Sequence, residues 1–480
     1  MFSARLTTTY RLALIAIRLP IVCAGYQSVC WRGIASGRMM IDRKFKRCRS
    51  IGLVFFALGL WASCGQAFSQ SAPTPPPRQV FYSKVEPLTD TIERVQSDPR
   101  PKTANGALQA LDWLIYGNVS AGGAYDSNVF ASPNQQPAYG PRFQPSIVAA
   151  RNTGIQRTLV YGFGDIRYYP SQSRTDVLNT TAGLAHVWEI QRDLVFRTQF
   201  EATRGQQNSS LVSAVNGPGA LYTEPIKYTS LFGSTSIEKS FGRFFTAIGG
   251  SVTGNVYDDT KDSLGNVISE HFQNGTRTTL NGRVGYNITP IVYTFVEPSV
   301  NAGRFQGAGL DSNGYQVVGG LGTARISLFN GEIYAGVLNE HFSDPATPTL
   351  SRGIYGGRVS WYPTRFVTVT GSFDQTLGTS DFSPTVFSPG SATKLNTSKL
   401  LASWAVLRDV TLEGSVQLLH YEYLSSTRLD DLSLFGFKTT YMLTERLGII
   451  LDYNYAILTS NTPGVAYTRN FVSLGATSKF

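Results

Sequence analysis

Leu194-Val195-Phe196-Arg197-Thr198-Gln199-Phe200-Glu201-Ala202 changes polarity at nearly every step. In an extended chain successive side chains point to opposite faces, so Leu194, Phe196, Phe200 and Ala202 share one face. Arg197, Gln199 and Glu201 share the other. The same period of two recurs from Thr276 to Tyr286, where Arg277, Thr279, Asn281 and Arg283 stand opposite Leu280, Gly282, Val284 and Tyr286. It recurs again from Val410 to Leu418, with Glu413, Ser415 and Gln417 opposite Leu412, Val416 and Leu418. From Trp113 to Phe480 no helical period competes with it, and Gly, Thr, Ser, Tyr and Phe dominate, as expected of strands.

Alternation alone also fits a soluble sandwich, so the connections between strands decide. Eighteen candidate strands fall between 115 and 480. Short turns are expected at Thr153-Gly154, Gln191-Arg192, Phe241-Gly242, Ile288-Thr289, Phe329-Asn330, Pro363-Thr364, Arg408 and Thr444-Glu445. Between them lie longer polar connections at 130–142, 205–226, 258–273, 303–313, 343–349 and 377–393. Short and long alternating around an even number of strands is the plan of a transmembrane antiparallel β-barrel of about 18 strands, with short periplasmic turns and longer external loops. The apolar face then meets lipid and the polar face lines the interior. Aromatic residues near turns (Trp188, Phe244, Phe245, Tyr286, Trp361, Tyr362, Phe366, Tyr441) fit an interfacial girdle and fit ordinary strand preference equally well.

The barrel accounts for only part of the chain. The formal charge of +10 is concentrated in residues 1–69, which hold ten Lys/Arg and one acid and leave 32 bases against 31 acids downstream. A nearly neutral remainder removes the main support for a nucleic-acid partner. All four cysteines, Cys23, Cys30, Cys48 and Cys64, lie in the same stretch, so no downstream disulfide or thiolate metal site is possible. Arg43, Lys44, Lys46, Arg47 and Arg49 precede an apolar run from Ile51 to Trp61, the layout of a signal peptide, with cleavage expected after Ser69 and the true start at Met39 or Met40. Residues 70–112 carry Pro73, Pro75, Pro76, Pro77, Pro87, Pro99 and Pro101 and are expected to form an extended periplasmic segment, with at most a helical turn or two at Thr89–Val95. Residues 113–480 are the barrel.

Catalytic or cofactor chemistry finds little purchase. His186, His271, His341 and His420 lie on four separate segments without metal-ligand spacing, and no G-x-S-x-G elbow is present. Gly319, Gly320 and Gly322 sit in strand surroundings with no following helix. Asp258, Asp259 and Asp262 read as a solvated acidic loop before they read as a calcium site. No enzyme activity, cofactor or metal is expected. The pore-lining candidates are Arg157, Asp165, Arg167, Arg197, Glu201, Arg277, Arg283, Arg352, Arg358 and Glu413, among which arginines outnumber acids and favour anions.

Two short motifs carry a resemblance. Ala124-Tyr125-Asp126-Ser127-Asn128-Val129-Phe130 resembles the close of the first strand in the beta-barrel porin 2 family, although Asp126 and Asn128 read locally as a turn-forming pair. Gly475 and the terminal Phe480 resemble the C-terminal signal read by the barrel assembly machinery. The resemblance spans about Trp113 to Phe480 and implies a bacterial outer-membrane location and a conduit, with polysaccharide-export components as partners in some members. The expected function is therefore a passive pore for small solutes or surface polysaccharide. A structural or adhesive surface barrel without an open channel is the alternative.

Overall fold

The computed structural model describes residues 108–110, 112–207, 224–261, 265–307, 311–326, 328–343, 345, 349–378, 393–423 and 427–480. The leader, its cleavage point and the helical turn expected at Thr89–Val95 lie outside the described residues. Eighteen long strands follow one another: β1 (Trp113–Asp126), β2 (Ala138–Asn152), β3 (Gln156–Arg167), β4 (Val177–Gln191), β5 (Leu194–Gln207) and β6 (Ile226–Phe241). Next come β7 (Phe244–Tyr257), β8 (Gly275–Asn287), β9 (Val292–Phe305), β10 (Ser312–Ile326), β11 (Phe329–Phe342) and β12 (Leu350–Thr364). The last six are β13 (Val367–Gly378), β14 (Thr393–Ala405), β15 (Val410–Tyr423), β16 (Leu429–Met442), β17 (Leu447–Ser460) and β18 (Tyr467–Lys479). Each pairs antiparallel with its neighbours in sequence, and β18 returns to β1 from Asn118↔Lys479 to Asp126↔Phe471. The sheet is a closed antiparallel barrel, which leaves no open backbone edge to be satisfied in hydrocarbon.

Closure is completed by two short pieces on the same edge of β1. Beyond Lys479, the terminal Phe480 exchanges both backbone hydrogen bonds with Gly117, at 2.9 and 3.0 Å. Its ring lies where a side chain at residue 117 would be: a Cβ there would fall 1.9 Å from the ring, so any larger residue would have to displace the Phe480 ring. Below it, Leu108–Ala110 pairs with Trp113–Ile115. The segment expected to be extended up to about residue 112 thus ends in three residues that cover the stretch Trp113–Ile115 of β1, where β18 has run out.

Two turns shift from their expected places. Phe329-Asn330 and Pro363-Thr364 lie inside β11 and β12, and the connections fall between Ile326 and Phe329 and at 365–366. Pro363 has no N–H to give the ladder, and the register slips between Trp361 and Thr364, a bulge that absorbs it.

The outer face is an apolar surface of Leu, Val, Ile and aromatic side chains, with Phe200 59% and Ile248 63% exposed. A soluble protein of this size could not present it to water, and it is the surface a lipid bilayer solvates. The four tryptophans of the barrel, Trp113, Trp188, Trp361 and Trp404, all sit on this face at the short-turn end. Phe245 departs from the expected girdle: it points inward, buried with Tyr293 and Phe295, because its neighbour Phe244 takes the outward position.

Candidate functional site: the inner wall of the barrel

On a convex face side chains diverge, whereas on a concave one they converge and can reach across intervening strands. The longest reaches therefore identify the interior. Arg277 on β8 contacts Glu340 on β11 at 3.4 Å. Arg142 on β2 contacts Asp452 on β17 at 2.8 Å, across β1 and β18. Tyr293 on β9 donates to Glu332 on β11 at 2.8 Å, passing over Gly322 of β10, where a Cβ would lie 2.2 Å from the ring.

The strand register places Arg157, Asp165, Arg167, Arg197, Glu201, Arg277, Arg283, Arg352, Arg358 and Glu413 on this face. They do not form one cluster but belong to separate ion pairs around the wall. Near the short-turn end Arg157 pairs with Glu189 at 2.7 Å and Arg197 with Glu238 at 3.1 Å. Further round, Arg283 is held between Glu297 at 2.5 Å and Glu332 at 2.9 Å, with its guanidinium 3.9 Å from the Phe295 ring centre. Asn281 adds a bond to Glu297, and Arg358 stands opposite Glu332 in the register. Toward the long-loop end Arg277 and Asn301 share Glu340. Arg352 lies at the rim, 3.9 Å from Glu422. Glu413 meets Lys438 at 3.5 Å, and Glu201 accepts a hydrogen bond from Tyr161 at 3.0 Å.

The arginine excess expected from the sequence is therefore corrected. To those ten residues, seven arginines and three acids, the same inner-face alternation adds Asp126, Glu189, Glu238, Glu297, Glu332, Glu340, Asp374, Asp430 and Asp452. It also adds Arg142, Lys399, Lys438, Arg469 and Lys479. Among the described strand side chains, twelve bases face twelve acids. The excess arose because acids on the same face went uncounted.

The densest network straddles the closure. Arg142, only 7% exposed, donates to Asp165 at 2.8 Å, to Asp452 at 2.8 Å and to Ser473 at 2.7 Å. Arg167 pairs with Asp165 at 2.5 Å, and both guanidiniums lie over the Phe471 ring, at 4.8 and 4.1 Å. Asp126 pairs with Arg469, linking β1 to β18. Sequence reading missed Arg142 because 130–142 was read as a connection, whereas β2 begins at Ala138. The structure keeps Pro141 and Pro145 in β2 and lets the ladder to β3 lapse at Gln144-Pro145.

At the long-loop end the Asp126-Asn128 pair forms the expected turn, with the Asn128 N–H on the Asp126 carboxylate at 3.0 Å. Asn128 also donates to the carbonyl of Thr468, tying the first connection to β18. Ala131 and Val465, from two different connections, are fully buried against the inward-facing Tyr421, Tyr423, Leu432, Leu458 and Tyr467. One side of the mouth is thus lined by loops folded over the wall. Asp258 pairs with Arg204 and Asp259 with His271, whereas Asp262 lies outside the described residues.

No curated protein matches the sequence. Solved structures that resemble the chain include the siderophore receptor PirA from Pseudomonas aeruginosa, 9% identical, covering 76% of this chain and 80% of that one at a TM-score of 0.36. The siderophore receptor PiuA from Acinetobacter baumannii is 8% identical, covering 78% and 82% at 0.39. An anion-selective porin from Comamonas acidovorans is 12% identical, covering 77% and 99% at 0.32. A family model, "Putative beta-barrel porin 2", matches residues 103–480, which is the whole barrel, and the chain belongs to that family.

Proposed function

We propose that the protein is a passive outer-membrane conduit for small solutes or for surface polysaccharide. The observation that carries this reading is a polar, charge-balanced inner wall inside an apolar outer one. Rows such as Arg197, Gln199, Glu201, Thr203 on β5 and Thr411, Glu413, Ser415, Gln417 on β15 are partly exposed on the concave face. Ionised and amide groups in such rows require water, and a barrel of eighteen strands is wide enough to hold it. Because the bases are matched by acids, the passage discriminates weakly by charge. The inward-folded Ala131 and Val465 favour a second reading, a surface barrel whose mouth is closed.

Conductance of the folded protein in a planar bilayer separates the two readings. Discrete steps support the conduit, whereas a silent bilayer containing heat-modifiable, protease-resistant barrel supports the closed one. Short turns on the periplasmic side define the orientation. Asn134→Cys should react with an impermeant thiol reagent in intact cells, and Glu445→Cys only after disruption; the reverse pattern would invert the topology. Assembly is assigned to the barrel assembly machinery acting on the strand that ends in Gly475 and Phe480, and outer-membrane lipid is the expected surrounding. No role for a cofactor, metal or nucleic acid is proposed.

A further inference from the structure

The turns at the short-turn end share a feature that neither closure nor the lumen requires. Eight turns join the strands there, and five carry an arginine: Arg192, Arg243, Arg365, Arg408 and Arg446. All five are exposed. They sit just beyond outward-facing aromatic side chains: Arg365 lies 4.6 Å over the Phe366 ring, and Arg243 reaches the Tyr286 hydroxyl at 3.4 Å. Trp188 precedes Arg192, Trp404 precedes Arg408, and Tyr441 precedes Arg446. The same turns hold three acids, Asp193, Asp409 and Glu445. Asp193 is already occupied, since the Lys239 ammonium 2.6 Å away holds its carboxyl below the ordinary carboxylate range. The ring is therefore net basic, in contrast to the balanced lumen, and it lies where the apolar band and its tryptophans give way to water.

We infer that this arginine ring is a docking surface for the phosphate headgroups of anionic phospholipids in the leaflet at the short-turn end. A guanidinium presents a planar fork of donors that matches phosphate oxygens, and an aromatic side chain at headgroup depth positions the acyl boundary beneath it. Each base near an anionic bilayer surface is worth about fivefold in local preference. The inference rests on the transmembrane placement but not on the conduit or on the orientation, because a symmetric bilayer offers the same lipid at both ends.

The four barrel tryptophans all lie at this end and report on it. The barrel is folded into phosphatidylcholine vesicles containing either brominated phosphatidylglycerol or the same fraction of brominated phosphatidylcholine, and quenching is compared. The expected result is severalfold enrichment of the anionic lipid at low salt, collapsing at about 1 M salt, where the screening length is roughly 3 Å. Replacing the five arginines by glutamine should abolish the enrichment. A control carrying Lys227→Gln, Arg304→Gln and Lys394→Gln at the opposite end should keep it. If the fivefold variant does not fold, the pair Arg365→Gln and Arg408→Gln should lower the enrichment partway. Equal quenching by the two lipids in the wild type, or enrichment that survives loss of the arginines, would overturn the inference. Tryptophans quenched by neither lipid would overturn the transmembrane placement, and the inference with it.

Discussion

The closure seam and the β8–β12 wall are both arginine-centred networks over an aromatic ring, yet they differ in what the chain must do to make them. In the wall, Arg283 meets Glu297 and Glu332, 14 and 49 residues away. In the seam, Arg142 meets Asp452 and Asp126 meets Arg469, 310 and 343 residues away. Wall pairs can form as successive hairpins form. Seam pairs exist only once β18 has found β1, and they appear together with the backbone ladder that removes the last open edge. The same chemistry therefore stabilises a local surface in one place and the closed topology in the other, where loop-closure entropy is greatest.

Removing the seam's terminal residue should have the largest effect. Deleting Phe480 forfeits two reciprocal backbone bonds to Gly117 and the ring seated there, at most roughly 1.5–3 kcal/mol from the aromatic plus about 1 kcal/mol per hydrogen bond. If the terminal strand is also read during assembly, heat-modifiable barrel should fall far more in cells than in detergent refolding. Equal cellular yields of wild type and truncation would separate this residue from assembly. Gly117→Val attacks the same contact from the other side. Its side chain would collide with the Phe480 ring, and about 1–3 kcal/mol of overpacking should appear as a lower unfolding midpoint in urea.

Arg142→Met leaves Asp165 and Asp452 without their shared donor in a part-buried site of the seam. A loss near 3–5 kcal/mol is the scale for breaking such a pair, and it should appear as seam opening, detected by protease access to β1 and β18. Arg283→Gln removes the charge held between Glu297 and Glu332 while Arg358, Asn281 and Tyr293 stay beside them, so its main effect should be on permeation. The reversal potential should move toward cations while the closed barrel persists. The smallest effect is expected at Asp112→Asn, which removes an exposed pair with Arg151 worth about 0.2–1 kcal/mol. A large change there would mean that the segment before β1 carries more of the closure than its three paired residues suggest.

The sequence made the wall far more legible than the seam. Arg277 and Arg283 declare their face because they alternate with Leu280 and Val284, and Glu297, Glu332 and Glu340 were readable by the same alternation in their own strands. The neutral lumen was thus latent in the sequence and was obscured only by following the arginines. Seam contacts have no local signature: nothing around Arg142 points to Asp452, and the residue fell in a stretch read as a connection. The glycine at 117 likewise acquires its meaning only when Phe480 arrives. Phe245, one residue from the outward Phe244, shows that a pair of adjacent aromatics must split between faces, so both could not belong to the girdle.

If pairing neutralises a water-filled interior, the wild-type barrel under a potassium chloride gradient should show it in its reversal potential. Twelve bases against twelve acids predict open conductance with a reversal potential close to zero. A strongly anion-selective potential would mean that the arginines act unpaired. Absence of current from verified folded barrel would show that no continuous water path runs through the wall described above.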